Sequence, residues 1–145
     1  MKDTKIVLVE DDEILSKVIE EELEEAGFKV YLATDGKKGL EAVKNKKPDL
    51  VLLDLMLPEM HGFEVLENIK KSPEVENTPV IILTMLGSDD DIKKGLKLGA
   101  HDYIVKSQHA VGEIVDEVKN FFANESHPEQ GEKAKKSAPK KTKKE

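Results

Sequence analysis

The chain has 145 residues, of which 37% are charged, with a formal net charge of −7 and no cysteine. Without cysteine neither a disulfide framework nor a thiolate zinc site can form. The apolar run at residues 6–9 is too short for a membrane span or a signal peptide core. An acidic body argues against a nucleic-acid-binding core, which needs clustered cations. We therefore expect one soluble, cytoplasmic domain with no membrane segment.

The charge is divided unevenly along the chain. Residues 124–145 hold seven of the 23 basic residues and four of the 30 acidic ones. Residues 1–123 therefore have a net charge of −10 and the tail +3. The tail contains no Val, Ile, Leu, Phe or Tyr, so it cannot bury enough apolar surface to offset its chain entropy. We predict a domain at 1–123 and a disordered, Lys-rich tail at 124–145. A solubilising or terminal extension is favoured over a tether to nucleic acid or an acidic surface.

Strand and helix patterns alternate five times along the domain. The predicted strands are 5–9, 28–33, 50–54, 79–84 and 103–105. Four of them are nearly continuous apolar runs, which is typical of strands covered on both faces, whereas 28–33 alternates as an outer strand would. This pattern predicts a parallel sheet.

The intervening helices carry recognisable end signals. Gly27 is placed to end the first helix, and the second follows the sequence "TDG". The third begins near Gly62. Ser88 and Asp91 form a capping box for the fourth, which Gly99 ends. The last helix has an apolar stripe from residue 111 to residue 122.

The element order predicts an α/β fold: a doubly wound, flavodoxin-like (βα)5 three-layer sandwich with a five-stranded parallel sheet of order 2-1-3-4-5. In this architecture, ligands bind beyond the carboxyl ends of the strands. No Gly-rich phosphate fingerprint follows the first strand, which argues against a dinucleotide or P-loop site. The polar residues at the strand ends are Glu10, Asp11, Asp12, Asp54, Thr84 and Lys106.

Each of these residues has a structural explanation when taken alone, such as helix capping. Taken together they converge on one cleft, where Glu10, Asp11 and Asp54 would repel one another and raise their pKa values. A divalent cation relieves the conflict, and Mg²⁺ fits best because it is hard and prefers oxygen ligands. With Thr84 and Lys106 added, the set forms a clamp for a phosphoryl group.

Asp54 is the best candidate for attack on phosphorus, since it ends the most apolar strand and carboxylates are known to form acyl phosphates. The chain shows no signature of a nucleotide pocket or of an aspartyl-phosphate phosphatase. The product of the reaction would then be the phosphorylated protein itself.

These features resemble the receiver domains of bacterial response regulators over residues 5 to about 123. The resemblance is carried by the acidic pair after the first strand, by "DLMLPEMHG", by "ILT" and by "GAHDYIVK". It implies a phosphoacceptor at Asp54, a direct magnesium ligand at Asp11, and Glu10 acting largely through a metal-bound water. Asp12 matches no site position and is assigned to capping.

The resemblance also implies roles for the other strand ends. The backbone carbonyl of Met56 is a further magnesium ligand, Thr84 the switch hydroxyl, Tyr103 the switch aromatic and Lys106 the phosphate-binding cation. Two apolar side chains, Met56 and Leu86, occupy the positions that tune hydrolysis in this family, which predicts a long-lived acyl phosphate.

Three departures from the family pattern are visible, one of which is a segment from Lys106 to Glu113 and Ile114 that is a residue longer than usual. Ser107 replaces the usual proline, so we expect a trans peptide after Lys106. Met85 is bulkier than the usual small residue and would help to shield the phosphoryl group. His61 and His101 lie in loops without a second ligand at suitable spacing, and we favour a solvated role for them over a metal or phosphohistidine site.

The resulting hypothesis is a stand-alone phosphoacceptor switch. A sensor histidine kinase or histidine phosphotransfer protein donates the phosphoryl group, and the face formed by helix four, strand five and helix five changes its affinity for an unknown output protein. Output is expected by protein contact or phosphorelay, without a DNA-binding domain, from a monomer or a weak phosphorylation-dependent dimer. The chain would catalyse its own phosphorylation and slow autodephosphorylation but no reaction with a separate product. The alternative is a phosphate-independent binding scaffold of the same fold.

Overall fold

The computed structural model describes residues 4–125. Within that range, five strands form one parallel sheet of order β2-β1-β3-β4-β5, which confirms the predicted fold. Each strand bound lies within one residue of its prediction. The strands are β1 Lys5–Val9, β2 Lys29–Ala33, β3 Leu50–Leu53, β4 Val80–Thr84 and β5 Asp102–Val105.

Five α-helices alternate with the strands: α1 Glu13–Glu25, α2 Gly36–Lys46, α3 Gly62–Lys71, α4 Asp89–Lys97 and α5 Val111–Glu125. A short 3-10 turn at Lys106–Gln108 precedes α5. The predicted end signals are present. The Asp12 side chain accepts from the N–H groups of Ile14 and Leu15 and caps α1, and the Ser88 side chain accepts from the Asp91 N–H and caps α4. Gly27 and Gly99, at φ 105° and 112°, use the left-handed conformation that favours glycine.

The direction of the crossovers places helices on both faces of the sheet. The α1 connection moves from β1 outward to β2, whereas the α2 connection returns past β1 to β3. Crossovers of the same right-handed sense in opposite directions lie on opposite faces. On the α2 and α3 side, the sheet contributes Val7, Val9, Val51, Leu53, Val80 and Ile82 to a core that also includes Val43, Val65, Leu66 and Ile69.

The strand register brings the polar strand ends to one edge of the sheet. Val9 pairs with Ala33 and with Leu53, so the residues that follow β1 and β3 are neighbours. Thr84 pairs with Val105, and Lys106 follows directly. The edge at which the sequence placed a site is therefore formed as expected.

The chain divides into two compact units. The first contains the whole sheet with α1–α4 and extends to Val111. The second begins at Gly112 and contains the rest of α5, whose side chains at Ile114, Val115, Val118 and Phe121 are buried. This helix continues to Glu125, past the predicted domain boundary at 123. The remaining residues of the predicted disordered tail, 126–145, lie outside the described range. Among the described helices, none is long and apolar enough to cross a membrane.

Candidate functional site

Glu10 follows β1 and continues its hydrogen-bond ladder, because its backbone N–H donates to the Ala33 carbonyl at 3.0 Å. Its side chain is only 1% exposed. Oε2 accepts from the Asp12 N–H at 3.1 Å. Oε1 lies 2.5 Å from Lys106 Nζ in an ion pair, yet it has no partner with hydrogen-bond geometry among the described residues. Among the described residues, the Lys106 ammonium is therefore the partner of this buried Glu10 oxygen.

Asp54 lies at the end of β3, where its backbone N–H donates to the Val9 carbonyl at 3.0 Å. Its side chain is fixed at both oxygens. Oδ1 accepts from the N–H groups of Leu55 at 2.7 Å and Met56 at 3.3 Å, and Oδ2 accepts from Lys106 Nζ at 3.0 Å. The buried carboxylate is therefore held in a single orientation at the edge of the sheet.

Lys106 joins the two buried acids, since its ammonium contacts both Glu10 and Asp54. Burial acts to lower the pKa of Lys106, but the two carboxylates outweigh burial and raise it above the ordinary lysine value. The pKa of Glu10 is also raised, chiefly by burial and further by the Asp54 charge, while Lys106 opposes the shift. The lysine is therefore a fixed positive charge at neutral pH, and the carboxylates lie in an environment that favours added positive charge.

Asp11 completes an acidic cluster at the same edge but remains exposed to solvent. Glu10, Asp11 and Asp54 each offer one carboxylate oxygen, and these three oxygens lie within 4.8 Å of one another. Three hard oxygen donors, two of them buried, match the preference of Mg²⁺ for oxygen ligands. The predicted metal residues are thus brought together in a group that could bind a divalent cation.

Thr84 and Tyr103 lie beside this group on β4 and β5. Thr84 is fully buried, and its Oγ1 accepts from the Leu86 N–H at 3.4 Å. The Tyr103 hydroxyl donates to the Leu86 carbonyl at 2.6 Å. Both predicted switch residues therefore contact the backbone of the same residue, Leu86, in the β4–α4 loop.

Several features of the site were not predicted. The direct Glu10–Lys106 ion pair joins residues from opposite ends of the domain, and no local pattern signals it. His61 is not merely a loop residue, since its Nδ1 accepts from the Phe63 N–H and caps α3. Gly62 packs so closely on the residues that follow β3 that an added Cβ would lie 2.5 Å from the Leu55 Cα and would also overlap the Asp54 carbonyl oxygen. The expected trans peptide after Lys106 is present, because no described peptide bond is cis.

Comparison with known proteins agrees with this arrangement. The family model of the response regulator receiver domain matches residues 6–119. The chain belongs to the response regulator receiver domain family. It is therefore a signalling domain of two-component systems, and its fold is that of a doubly wound receiver.

Individual relatives of this receiver domain support the assignment. The response regulator ArlR of Staphylococcus saprophyticus is 45% identical over 103 residues, which make up 71% of this chain and 46% of ArlR. The chain thus spans about half the length of that curated relative. The phosphorylated cyanobacterial phytochrome response regulator RcpA is 32% identical with a TM-score of 0.72, covering 82% of this chain and 93% of RcpA. The Mn²⁺-bound response regulator Rcp1 is 27% identical with a TM-score of 0.73, covering 82% and 94%.

Proposed function

We propose that this receiver domain accepts a phosphoryl group on Asp54 from the phosphohistidine of a sensor histidine kinase or histidine phosphotransfer protein. The observation that carries the proposal is the setting of the Asp54 carboxylate. It is buried, fixed by two backbone N–H groups on one oxygen and by Lys106 on the other, and it adjoins Glu10 and Asp11. The phosphorylated form of the related RcpA is consistent with this chemistry.

In the transfer, an oxygen of the Asp54 carboxylate forms a bond to phosphorus while the bond from phosphorus to the donor's histidine nitrogen breaks. The nitrogen keeps the electron pair, and the product is an acyl phosphate. Lys106 already lies 3.0 Å from Asp54, so its ammonium remains within reach of the phosphoryl oxygens. Hydrolysis by water returns the free carboxylate and releases inorganic phosphate. The domain therefore catalyses only its own modification and its slow reversal.

Glu10, Asp11 and Asp54 would hold Mg²⁺, with the backbone carbonyl of Met56 as a further ligand. Bound at this position, the cation would neutralise negative charge on the phosphoryl oxygens. The closely spaced carboxylate oxygens of these three residues support the assignment. The Mn²⁺-bound form of the related Rcp1 is consistent with a divalent ion.

Thr84 and Tyr103 would transmit the conformational effect of phosphorylation to the surface of α4 and β5. A phosphoryl group on Asp54 offers oxygen acceptors to the Thr84 hydroxyl, which in the resting arrangement accepts from the Leu86 N–H. Movement of Thr84 would shift the backbone of Leu86, whose carbonyl accepts from the Tyr103 hydroxyl. An output protein that contacts α4 and β5 would then bind the two states with different affinity.

To test this proposal, the protein is incubated with acetyl phosphate, with and without Mg²⁺, and its intact mass is recorded. We expect one phosphoryl group that requires Mg²⁺ and is absent in Asp54→Asn. The matched control is Asp12→Asn, which removes a neighbouring acid while asparagine still caps α1. Undiminished labelling of Asp54→Asn would refute the assignment of the acceptor.

The alternative of a phosphate-independent scaffold makes a different prediction in the same experiment. The native protein would then remain unlabelled by acetyl phosphate and by a phosphorylated histidine phosphotransfer protein. Labelling of both the native protein and Asp12→Asn excludes that alternative.

A further inference from the structure

α4 buries Gly95, although glycine weakens a helix interior relative to alanine. The contacts of this position supply a packing reason. A Cβ added to Gly95 would lie 2.6 Å from Ile82 Cδ1 and 3.1 and 3.2 Å from Cδ2 and Cε2 of the Tyr103 ring. These separations are shorter than the normal contact distance between carbon atoms. The backbone of α4 therefore lies directly against the tyrosine ring because residue 95 has no side chain.

The placement of the ring determines the placement of its hydroxyl. Tyr103 pairs with Ile82 across β4 and β5, so its backbone is fixed by the sheet. With the ring against Gly95, the hydroxyl donates to the Leu86 carbonyl at 2.6 Å. The N–H of Leu86 in turn donates to the Thr84 hydroxyl oxygen. A continuous set of contacts thus runs from α4 to the end of β4.

The protonation state of the phenol agrees with this position. Burial, together with the charges of Asp91 and Asp54, raises the pKa of Tyr103 to about 12. The hydroxyl is therefore a proton donor at neutral pH and can serve the Leu86 carbonyl.

We propose that Gly95 is a positioning residue for Tyr103: the missing side chain admits the ring against α4 and thereby holds its hydroxyl on the Leu86 carbonyl. A side chain at position 95 would move the ring away from Leu86 and uncouple α4 from Thr84, while leaving the Asp54 carboxylate and its partners in place. The consequence for signalling rests on the proposed function. The placement of the ring does not, since it is a property of the unmodified protein.

The experiment begins from Tyr31→Phe, which leaves Tyr103 as the only tyrosine, because the chain has two tyrosines and no tryptophan. Absorbance and fluorescence then report on Tyr103 alone. Gly95→Ala is compared in this background with Gly112→Ala, which adds the same methyl group to a helical glycine whose Cβ would meet nothing within 4 Å.

A second variant separates the ring contact from simple overpacking. In Gly95→Ala/Ile82→Val, the Ile82 Cδ1 that lies 2.6 Å from the new methyl is removed, but the contact with the Tyr103 ring remains. In both Gly95→Ala proteins we expect stronger quenching of Tyr103 fluorescence by acrylamide. We also expect the Tyr103 pKa to fall from about 12 toward the ordinary tyrosine value of about 10. Gly112→Ala should match its Tyr31→Phe parent.

Native-like quenching and an unchanged tyrosine pKa in folded Gly95→Ala/Ile82→Val would overturn the inference. These measurements need no phosphodonor, so they stand even if the native protein is never phosphorylated. A second series adds acetyl phosphate and Mg²⁺. We expect Gly95→Ala to be labelled like its parent while its tyrosine fluorescence no longer responds to labelling. Loss of labelling in Gly95→Ala, with the parent labelled, would contradict an effect confined to Tyr103.

Discussion

The ion pairs of Lys106 dominate the site at the scale of single residues. Its ammonium is shared between Glu10 at 2.5 Å and Asp54 at 3.0 Å, and all three side chains are at least nine-tenths buried. Buried charges are tolerated when they are paired, and removal of one partner leaves the others with an uncompensated desolvation cost. The same lysine thus stabilises the resting domain and supplies the positive charge proposed for phosphoryl binding.

Lys106→Met should destabilise the domain at neutral pH by about 3 kcal/mol, because two buried carboxylates lose their cation. The loss of stability caused by Lys106→Met should be smaller at acidic pH. Lys106 opposes the rise in the pKa of Glu10, so without the lysine that pKa is raised further and the folded variant takes up a proton before the unfolded state does. The stability of Lys106→Met therefore rises as pH falls through that raised pKa toward the ordinary glutamate value, which narrows the difference from the native protein. Urea denaturation of both proteins at several pH values measures this effect, with Glu10→Gln/Lys106→Met as the variant expected to lose the pH dependence. A pH-independent loss in Lys106→Met would contradict this account.

The lifetime of the proposed acyl phosphate should also depend on single side chains. Met56 is 57% exposed beside Asp54, and Leu86 is half-buried after Thr84. Both are apolar, so neither can orient an attacking water. Met56→Asn combined with Leu86→Glu should hydrolyse the acyl phosphate about tenfold faster, the effect of roughly 1.4 kcal/mol of barrier. Loss of label with time, followed by intact mass for the single and double variants, measures the rate. A double variant no faster than the native protein would show that these residues do not limit hydrolysis.

At the scale of elements, the loop between β3 and α3 determines where Asp54 lies. The Gly62 N–H donates to the Leu55 carbonyl at 2.7 Å, and the Gly36 N–H at the start of α2 donates to the Pro58 carbonyl at 3.1 Å. Backbone bonds thus tie the loop that follows β3 to the first residues of α2 and α3. Close approach of this kind requires glycine, since a Cβ at Gly62 would overlap the backbone of residues 54 and 55.

Gly62→Ala should therefore displace the acceptor strand end as well as lower stability. We expect a loss of about 1–3 kcal/mol, the usual cost of overpacking, together with slower labelling by acetyl phosphate. Gly112→Ala is the control, because its added methyl meets no neighbour and alanine favours the helix. Thermal unfolding and intact mass over time give both quantities. Native stability and rate in Gly62→Ala would show that the loop can move without affecting Asp54.

At the scale of the whole molecule, the acidic body and the basic tail contrast in composition. Residues 1–123 hold the whole predicted core, whereas residues beyond Glu125 consist mainly of lysine, glutamate and small or polar residues. A segment without large apolar side chains adds little burial on folding. Stability and phosphorylation should therefore reside in residues 1–125.

Deletion of residues 126–145 should leave the thermal midpoint and the rate of phosphorylation nearly unchanged. Differential scanning calorimetry and intact mass test this with the full chain as reference. A fall in the midpoint of several degrees, equivalent to about 1 kcal/mol for a domain of this size, would indicate that the tail stabilises the folded domain.

The sequence by itself determined the fold and the membership of the acidic group. Each strand and helix was recognisable from nearby residues, because apolar periodicity and capping residues act within a few positions. The parallel order then required the ends of β1, β3, β4 and β5 to meet at one edge, so Glu10, Asp11, Asp54 and Lys106 could be placed together before any coordinates were known. The four matched motifs in family order added their proposed roles.

Only the tertiary structure decided how these groups pair. Lys106 and Asp54 are 52 positions apart, and the sequence did not show that the lysine would also take the Oε1 of Glu10. The contact of Gly95 could not be predicted either, since a glycine within a helical pattern does not reveal that a tyrosine ring from a neighbouring strand lies against it. Such contacts depend on strand register and side-chain orientation across the whole core, and neither is encoded in the residues that flank the contact.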